Sequence, residues 1–251
     1  MHRNRLHHPT TRRLFPEVLS YTISLARTEE QMEKAINLRK NRYSKKLPSI
    51  ANTLSFKENE DKYPDSIILL AESKETGDAV GTLRIHTNHY GRTEFERELY
   101  LPEKYHTKKI AQVGRLAIAA GRYGTNVKMG LFKALYRYCL ATQIEWIMAT
   151  GIPPRHLEYL QLNFEYVYQD KRMVRLESSN NIPAHLLSFN VRTGEQKWRE
   201  TSHPLYKYMC LDLHEDIKIF DSVSGIWSKN RATLNHAIIP ANKRNLNFPI
   251  I

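Results

Sequence analysis

This sequence predicts an α/β (α+β) fold in which a central mixed sheet lies between helices. Short apolar or alternating runs predict strands. Between them lie segments with helical spacing and helix start signals. Turn residues separate the two kinds, and the order β-α-β-β-β-α-β-α-β follows, a pattern that buries a sheet between helical layers.

In chain order, Tyr21–Ala26 alternates as a strand, with Tyr21, Ile23 and Leu25 on one side. Thr28, followed by Glu30 and Gln31, reads as a helix cap with first-turn acids. The helix then runs to about Tyr43, with Met32, Ala35 and Ile36 facing inward. Residues 44–64 read as a long ordered loop or a broken helix, and loops of that length are often functional. Ser66–Glu72 and Ala79–His86 form a hairpin closed by KETGD. Residues 87–110 make a mixed connection. Gln112–Ala119 is a short strand, a glycine-containing loop follows (Gly121, Gly124), and an amphipathic helix starts near Val127. Glu145–Thr150 is a strand and Pro153–Leu162 a helix. Glu165–Gln169 and Met173–Leu176 read as a strand pair. Further on, Ala184–Val191 reads as strand or short helix, Met209–Leu213 as strand and Ile217–Ile226 as helix.

The 251 residues are 41% apolar, enough for a substantial core. Lys and Arg number 38 against 26 acids, a net charge of +12. That excess suits an acidic partner: nucleic acid, an anionic membrane, a CoA phosphate or an acidic carrier protein. A solvated basic surface explains it equally well. Cys139 and Cys210 lie far apart, which implies neither a disulfide framework nor a metal site. No apolar run reaches membrane-spanning or signal-peptide length, so a cytoplasmic location is expected. No helix-turn-helix, RNP-like or zinc motif supports the nucleic-acid reading.

The most informative stretch is 111–140. A single Arg115 interrupts an otherwise apolar strand there. Such a charge is costly unless it is paired or faces a cleft. A strand–loop–helix unit with a polar group on the strand suits acyl transfer, because it can present a thioester carbonyl to donors.

Five segments together resemble one known family. AINLRKNRY (35–43) is similar to its first-helix element, FKENEDKYPDSIILLAE (56–72) to its acidic loop and following strand, and GTLRI (81–85) to its GxxRL strand. QVGRLAI (112–118) is similar to its ExxRxxV strand, and YLQLNF (159–164) to its closing Tyr-to-Phe element. From about Tyr21 to Gln169 the chain resembles the GNAT acyltransferase fold, in the branch of N-acyl amino acid synthases and acyl-homoserine lactone synthases. The resemblance implies a splayed sheet. The expected division is a flexible basic N-terminus over 1–17, an acyltransferase domain over 18–178, and a C-terminal extension over 179–251 packed on that domain, the last outside the resemblance. There are departures. Gln112 stands where lactone synthases have a Glu proposed as base, and Asp61 and Asp65 are spaced one residue wider. The phosphate-cradling loop of CoA-dependent members is missing, which favours a carrier-protein donor and N-acyl amino acid synthesis.

The implied reaction is attack of an amine on an acyl thioester. Arg115, Gln112, Arg84, Asp65 and Tyr159 are the expected catalytic residues, with Gln112 or Asp65 orienting a water and Tyr159 protonating the thiolate. Arg84 and Arg115 are expected to face one cleft and pair with Asp61 and Asp65, shaping the acceptor site or pinning the loop to the sheet. Arg39, Arg42, Tyr43 and Asp61 are expected to line the acceptor site. A backbone N–H near Leu116, Ala117 and Ile118 is expected to meet the oxyanion. Lys128, Lys133 and Arg137 are expected to dock an acyl carrier protein.

The implied donor is acyl-phosphopantetheine on acyl carrier protein and the implied acceptor an amino acid, with no metal and no tightly bound cofactor. A lactone-type synthase and a CoA-dependent acetyltransferase are the enzyme alternatives. The residues after Gln169 are expected either to cap an acyl tunnel or to make a peripheral membrane contact.

Overall fold

The computed structural model describes residues 18–46, 59–121 and 124–220. The basic segment 1–17, residues 47–58 of the expected loop and the tail lie outside them. β1 (Tyr21–Leu25) leads to α1 (Glu29–Lys46), and β2 (Ser66–Ser73) and β3 (Ala79–Thr87) form the expected hairpin. Then come α2 (Glu94–Glu98), β4 (Ile110–Ile118), α3 (Gly124–Ala141), β5 (Trp146–Gly151) and α4 (His156–Leu160). β6 (Glu165–Tyr166), β7 (Met173–Val174), β8 (Ala184–Asn190) and α5 (Val191–Glu200) follow. The cap on α1 forms: Gln31 N donates to Thr28 Oγ1 at 3.2 Å, and Thr28 N donates back to Gln31 Oε1 at 3.4 Å. Two first-turn donors are thereby satisfied reciprocally.

The strands join in the order β1-β2-β3-β4-β5-β8-β6, with β7 also on β8. Among the described strands only β4 and β5 pair in parallel, because α3 crosses between them. α3 packs on one face, where Leu83, Ile85, Ala111, Val113, Leu131 and Leu135 share a core. α1 lies on the other face against Ile68 and Leu70, through Ala35. α2 caps that same face near Ile110 and Met148, through Phe95. The interior-facing residues of α1 and α3 thus follow the helical spacing of the sequence.

Four expectations change. β6 and β7 do not pair with each other; each is an antiparallel partner of β8. β8 is therefore a strand of the main sheet, and the fold runs past residue 178, where an extension was expected to begin. Met209–Leu213 is not a strand, because Lys207–Leu211 winds into a π-helical turn. Lys133 Nζ, reaching from α3, binds the Tyr208 and Asp212 carbonyls of this segment, so they are not free for a ladder. Ile217 starts no helix; it forms a parallel bridge with Ile23 and covers the β1 edge. Residues 221–226 lie outside the described ones.

No helix among the described residues is long and apolar enough to cross a membrane.

Gly130 lets α3 approach β1: a Cβ there would stand 2.5 Å from Tyr21 Oη. That hydroxyl donates to Asn126 O at 2.7 Å, so it is not free to retreat. Gly130→Ala gains about 1 kcal/mol of helix propensity, but overpacking outweighs it. A net loss of about 1–2 kcal/mol is expected in urea denaturation.

Candidate active site

The site begins with a fault in β4. Thr82 pairs with Ala117 and Arg84 with Gly114, so Leu83 alone faces both Arg115 and Leu116. The extra residue makes a β-bulge, which bends and twists the strand that carries it. Arg115 takes it up with a φ of 55°, a left-handed conformation. For a residue other than glycine this costs about 1–2 kcal/mol. The bend has a visible result. β4 pairs with β5 only as far as Val113 and Ala149, whereas β5 stays paired with β8 to Gly151. Beyond that point β4 and β5 separate.

A cleft of about 640 Å³ opens between them, lined by residues 113–121 of β4 and its loop, Thr150 to Ile152 at the end of β5, Lys128 and Phe132 of α3, Arg155, Glu158 and Tyr159 around α4, and Arg42 and Tyr43 of α1. Arg115, Leu116, Ala117 and Ile118 therefore share one cleft with Arg42, Tyr43, Lys128 and Tyr159. Ala119 N donates to Val80 O at 2.9 Å. The Gly81–Ile118 pair thus sits between ladder bonds, and by antiparallel alternation the Ile118 N–H points away from β3 into the gap. The same alternation turns the Ala117 N–H toward Thr82. Tyr43 Oη donates to Leu116 O at 3.3 Å, tying α1 to the bent strand. Arg115 Nη2 donates to Ser178 O at 3.2 Å. Tyr159 packs edge-on against Phe132 and Phe164, at 5.8 and 5.3 Å between centroids. Burial raises its pKa, so the phenol keeps its proton at neutral pH.

The other expected residues lie off the cleft. Arg39 is 1% exposed and binds both oxygens of Asp61, at 2.8 and 3.0 Å. Arg84 shares Asp61 Oδ1 at 3.3 Å. Burial alone would raise the Asp61 carboxyl, but the two guanidiniums outweigh it and hold its pKa below the usual range. Arg39, Asp61 and Arg84 thus form an interior network between α1 and the sheet and do not line the cleft. Asp65 pairs with His86, Oδ1 to Nε2 at 3.3 Å. Gln112 is occupied at both ends: Nε2 donates to Glu94 Oε2 at 2.7 Å, and Oε1 accepts from Phe95 N at 3.1 Å. Its amide fixes the start of α2 to β4, so it is not free to orient a water in the cleft.

Lys133 is the clearest correction. It is 1% exposed, with Nζ bound to the Tyr208 and Asp212 carbonyls and to His214 Nδ1 at 2.8 Å. It cannot meet another protein. Burial lowers its pKa to about 8. Its helix face carries the apolar core, and only the i,i+4 spacing with Arg137 suggested a solvated position. Arg137 is half-buried. Lys128 is at the cleft, bound to Glu158 at 2.8 Å. Arg155 and Glu158 were not expected in the site. They precede and occupy a five-residue helix, and only the fold brings it to the cleft mouth. Among the described residues, no group of three His, Cys, Asp or Glu could hold a metal ion.

Comparison with known proteins gives the family and the fold. The family model described as N-acyl amino acid synthase FeeM matches residues 34–190. FeeM itself, an N-acyl amino acid synthase from uncultured soil microbes, is similar over 72% of this chain and 96% of its own, at 14% identity and TM-score 0.56. BjaI, a CoA-dependent acyl-homoserine lactone synthase, is similar over 73% of this chain and 90% of its own, at 13% identity and TM-score 0.53. The aminoglycoside acetyltransferase AAC(6')-Ib covers 72% of this chain and 99% of its own, at 16% identity and TM-score 0.51. At these identities the three likenesses speak for the GNAT fold. No curated protein sequence matches the chain.

Two stability measurements follow. Arg115→Gly relieves the left-handed strain that Arg115→Ala retains. The Gly variant is expected to be about 1 kcal/mol more stable than the Ala variant in chemical denaturation. Gln112→Glu sets a second carboxylate against Glu94, and one of the pair must then hold a proton. That shared proton makes the folded state bind more protons than the unfolded one near neutral pH. The variant should therefore lose about 1–3 kcal/mol at pH 8 and recover as pH falls toward 5. Equal melting temperatures of variant and parent across this range would count against the Gln112–Glu94 contact.

Proposed function

The chain belongs to the N-acyl amino acid synthase FeeM family and is an N-acyltransferase of the GNAT fold; on that premise we propose that it moves a long-chain fatty acyl group from an acyl-carrier-protein thioester to the α-amine of an amino acid. The supporting observation is the cleft opened by the bulge at Arg115, with the Ile118 N–H turned into it. A pantetheine arm entering between β4 and β5 lays its thioester carbonyl beside that N–H, which stabilises the oxyanion of the tetrahedral intermediate. Arg115 and Arg42 are cationic and at the same cleft, suited to an acceptor carboxylate. Tyr159, protonated and at the cleft wall, can supply a proton to the departing thiolate. Lys128 and Arg155 at the mouth suit an acidic carrier protein.

The acyl chain meets Phe132. This ring lines the cleft on one side and, on the other, an apolar space of about 20 Å³ bounded by Leu135, Phe164, Phe189, Trp198 and Met209. A chain that grows past Phe132 enters this aromatic cluster, which is free of charge.

A CoA thioester is the second reading. It is favoured by the likeness to BjaI, which is CoA-dependent.

Mass spectrometry of lipids from a host expressing the chain is expected to reveal a new N-acylated amino acid. Its absence, with soluble protein present, counts against the reading. Arg115→Ala is expected to lose at least about a hundredfold in turnover, and full activity would remove the guanidinium from the reaction. Phe132→Ala is expected to shift the preferred chain upward by about two to four carbons, as its ring gives way to space. An unchanged chain-length profile would mean that the acyl group lies elsewhere.

A further inference from the structure

The cleft has two sides, because the sheet that parts between β4 and β5 has two faces. On the α3 face stand Lys128, Phe132, Glu158 and Tyr159; Phe132 belongs to α3, and Tyr159 of α4 packs on its ring. On the opposite face, which α1 and α2 cover, stand Arg42, Tyr43, Gly114 and Thr150. The ladder puts Gly114 there, since its partner Arg84 meets Arg39 of α1 through Asp61. Thr150 alternates with Met148, which packs with Phe95 of α2. The Arg115 guanidinium turns to this face as well. Its Nη2 is bound to Ser178 O, and the adjoining Glu177 N–H donates to Glu98 Oε2, at the end of α2, at 3.0 Å.

With the acyl chain at Phe132, the donor takes the α3 side and the acceptor takes the α1 side. There is room for it: a Cβ on Gly114 would meet nothing within 4 Å, so open space lies beside Arg42.

Among the described residues, the acceptor side holds cations without a matching acid. Glu158 is the one carboxylate that lines the cleft, and it is bound to Lys128 on the α3 side. Arg42 lies one turn past Arg39 on α1. Arg39 has Asp61, whereas Arg42 is half-buried and no described residue is bonded to its guanidinium. Arg115 is half-buried too. Arg42 and Arg115 directly precede Tyr43 and Leu116, which are joined at 3.3 Å, so the two arginines enter the cleft at the same level. A guanidinium drawn partly out of water is best answered by a carboxylate on its fork. The acceptor's α-amine has to reach the carbonyl beside the Ile118 N–H, on the same strand as Arg115. Its α-carboxylate therefore falls to Arg115, and Arg42 is left for its side chain.

We propose, on the reaction read above, that the acceptor is a dicarboxylic amino acid, aspartate or glutamate, with its α-carboxylate on Arg115 and its side-chain carboxylate on Arg42. The corresponding side-chain amide brings no charge to Arg42 and leaves that half-buried cation without its anion.

The test is acceptor choice by the full chain. The donor is a hexadecanoyl-pantetheine thioester, each of the twenty amino acids is supplied singly, and the N-acyl product is read by mass spectrometry as kcat/KM. The better dicarboxylic acceptor is expected to exceed its own side-chain amide by at least about a hundredfold, mostly through KM. Arg42→Gln is expected to lower that ratio at least about tenfold, and Arg42→Lys to keep more of it, since the charge survives without the fork. A parent chain that takes a neutral amino acid as well as aspartate and glutamate, or better, overturns the proposal and leaves the acyl transfer standing. This measurement needs no variant and decides the matter should Arg42→Gln fail to fold. A ratio unmoved in folded Arg42→Gln overturns the proposal as well. No product with any of the twenty acceptors overturns the proposed reaction, and this assignment with it.

Discussion

The left-handed residue at position 115 is the constraint on which the rest of the site depends. A sheet that kept its register would continue the β4–β5 ladder past Val113 and leave no cleft. One surplus residue opposite Leu83 prevents that. The conformation it imposes is unfavourable for arginine, so the neighbouring structure has to hold it. The β3 ladder does so on both sides of the bulge. Tyr43 fastens Leu116 from α1, and the Ser178 carbonyl fastens the Arg115 guanidinium. Local strain and the opening of the cleft are two aspects of one geometric fact.

Charge is arranged on the same logic. The chain carries a large basic surplus, yet its interior cations are neutralised or solvated by protein groups. Arg39 and Arg84 share Asp61, and Lys133 has two backbone carbonyls and His214. Removing one partner from such a set leaves a buried charge uncompensated, which costs several kcal/mol. Other basic groups, Arg42, Arg115, Lys128 and Arg155, line the cleft. Lys128 among them is bound to Glu158. Four cationic side chains at one cleft suit anionic substrates and partners.

Apart from α2, which falls within the mixed connection read over 87–110, the strands and helices from Tyr21 to Leu162 were legible because their apolar residues repeat with the period of the element they form. The Thr28 cap, the β2–β3 hairpin and the inward face of α3 came from chemistry local in sequence. The arginine of β4 stood out for a simple reason: a charge in an apolar strand needs an explanation. Failures arose where distant segments decide. Lys133 has a solvated residue's spacing, but the chain near Tyr208 folds back over it. Gln112 was read by its position on the strand, whereas its role comes from α2, which begins eighteen residues earlier at Glu94. The Lys207–Leu211 turn has no periodic signature, and Lys133 of another helix binds the Tyr208 carbonyl within it and the Asp212 carbonyl just after it.

By itself, the sequence determined the longer strands and helices between Tyr21 and Leu162, and that an arginine sits on the central strand, since both depend on side-chain type and spacing along one stretch of chain. Only the tertiary structure decided which of the marked residues meet. Pairing register sets which face of a sheet a side chain occupies, and a single bulge shifts that register by one residue. That shift falls at Arg115, which stands at the cleft, whereas Arg84, paired ahead of it with Gly114, joins Arg39 and Asp61 in the interior.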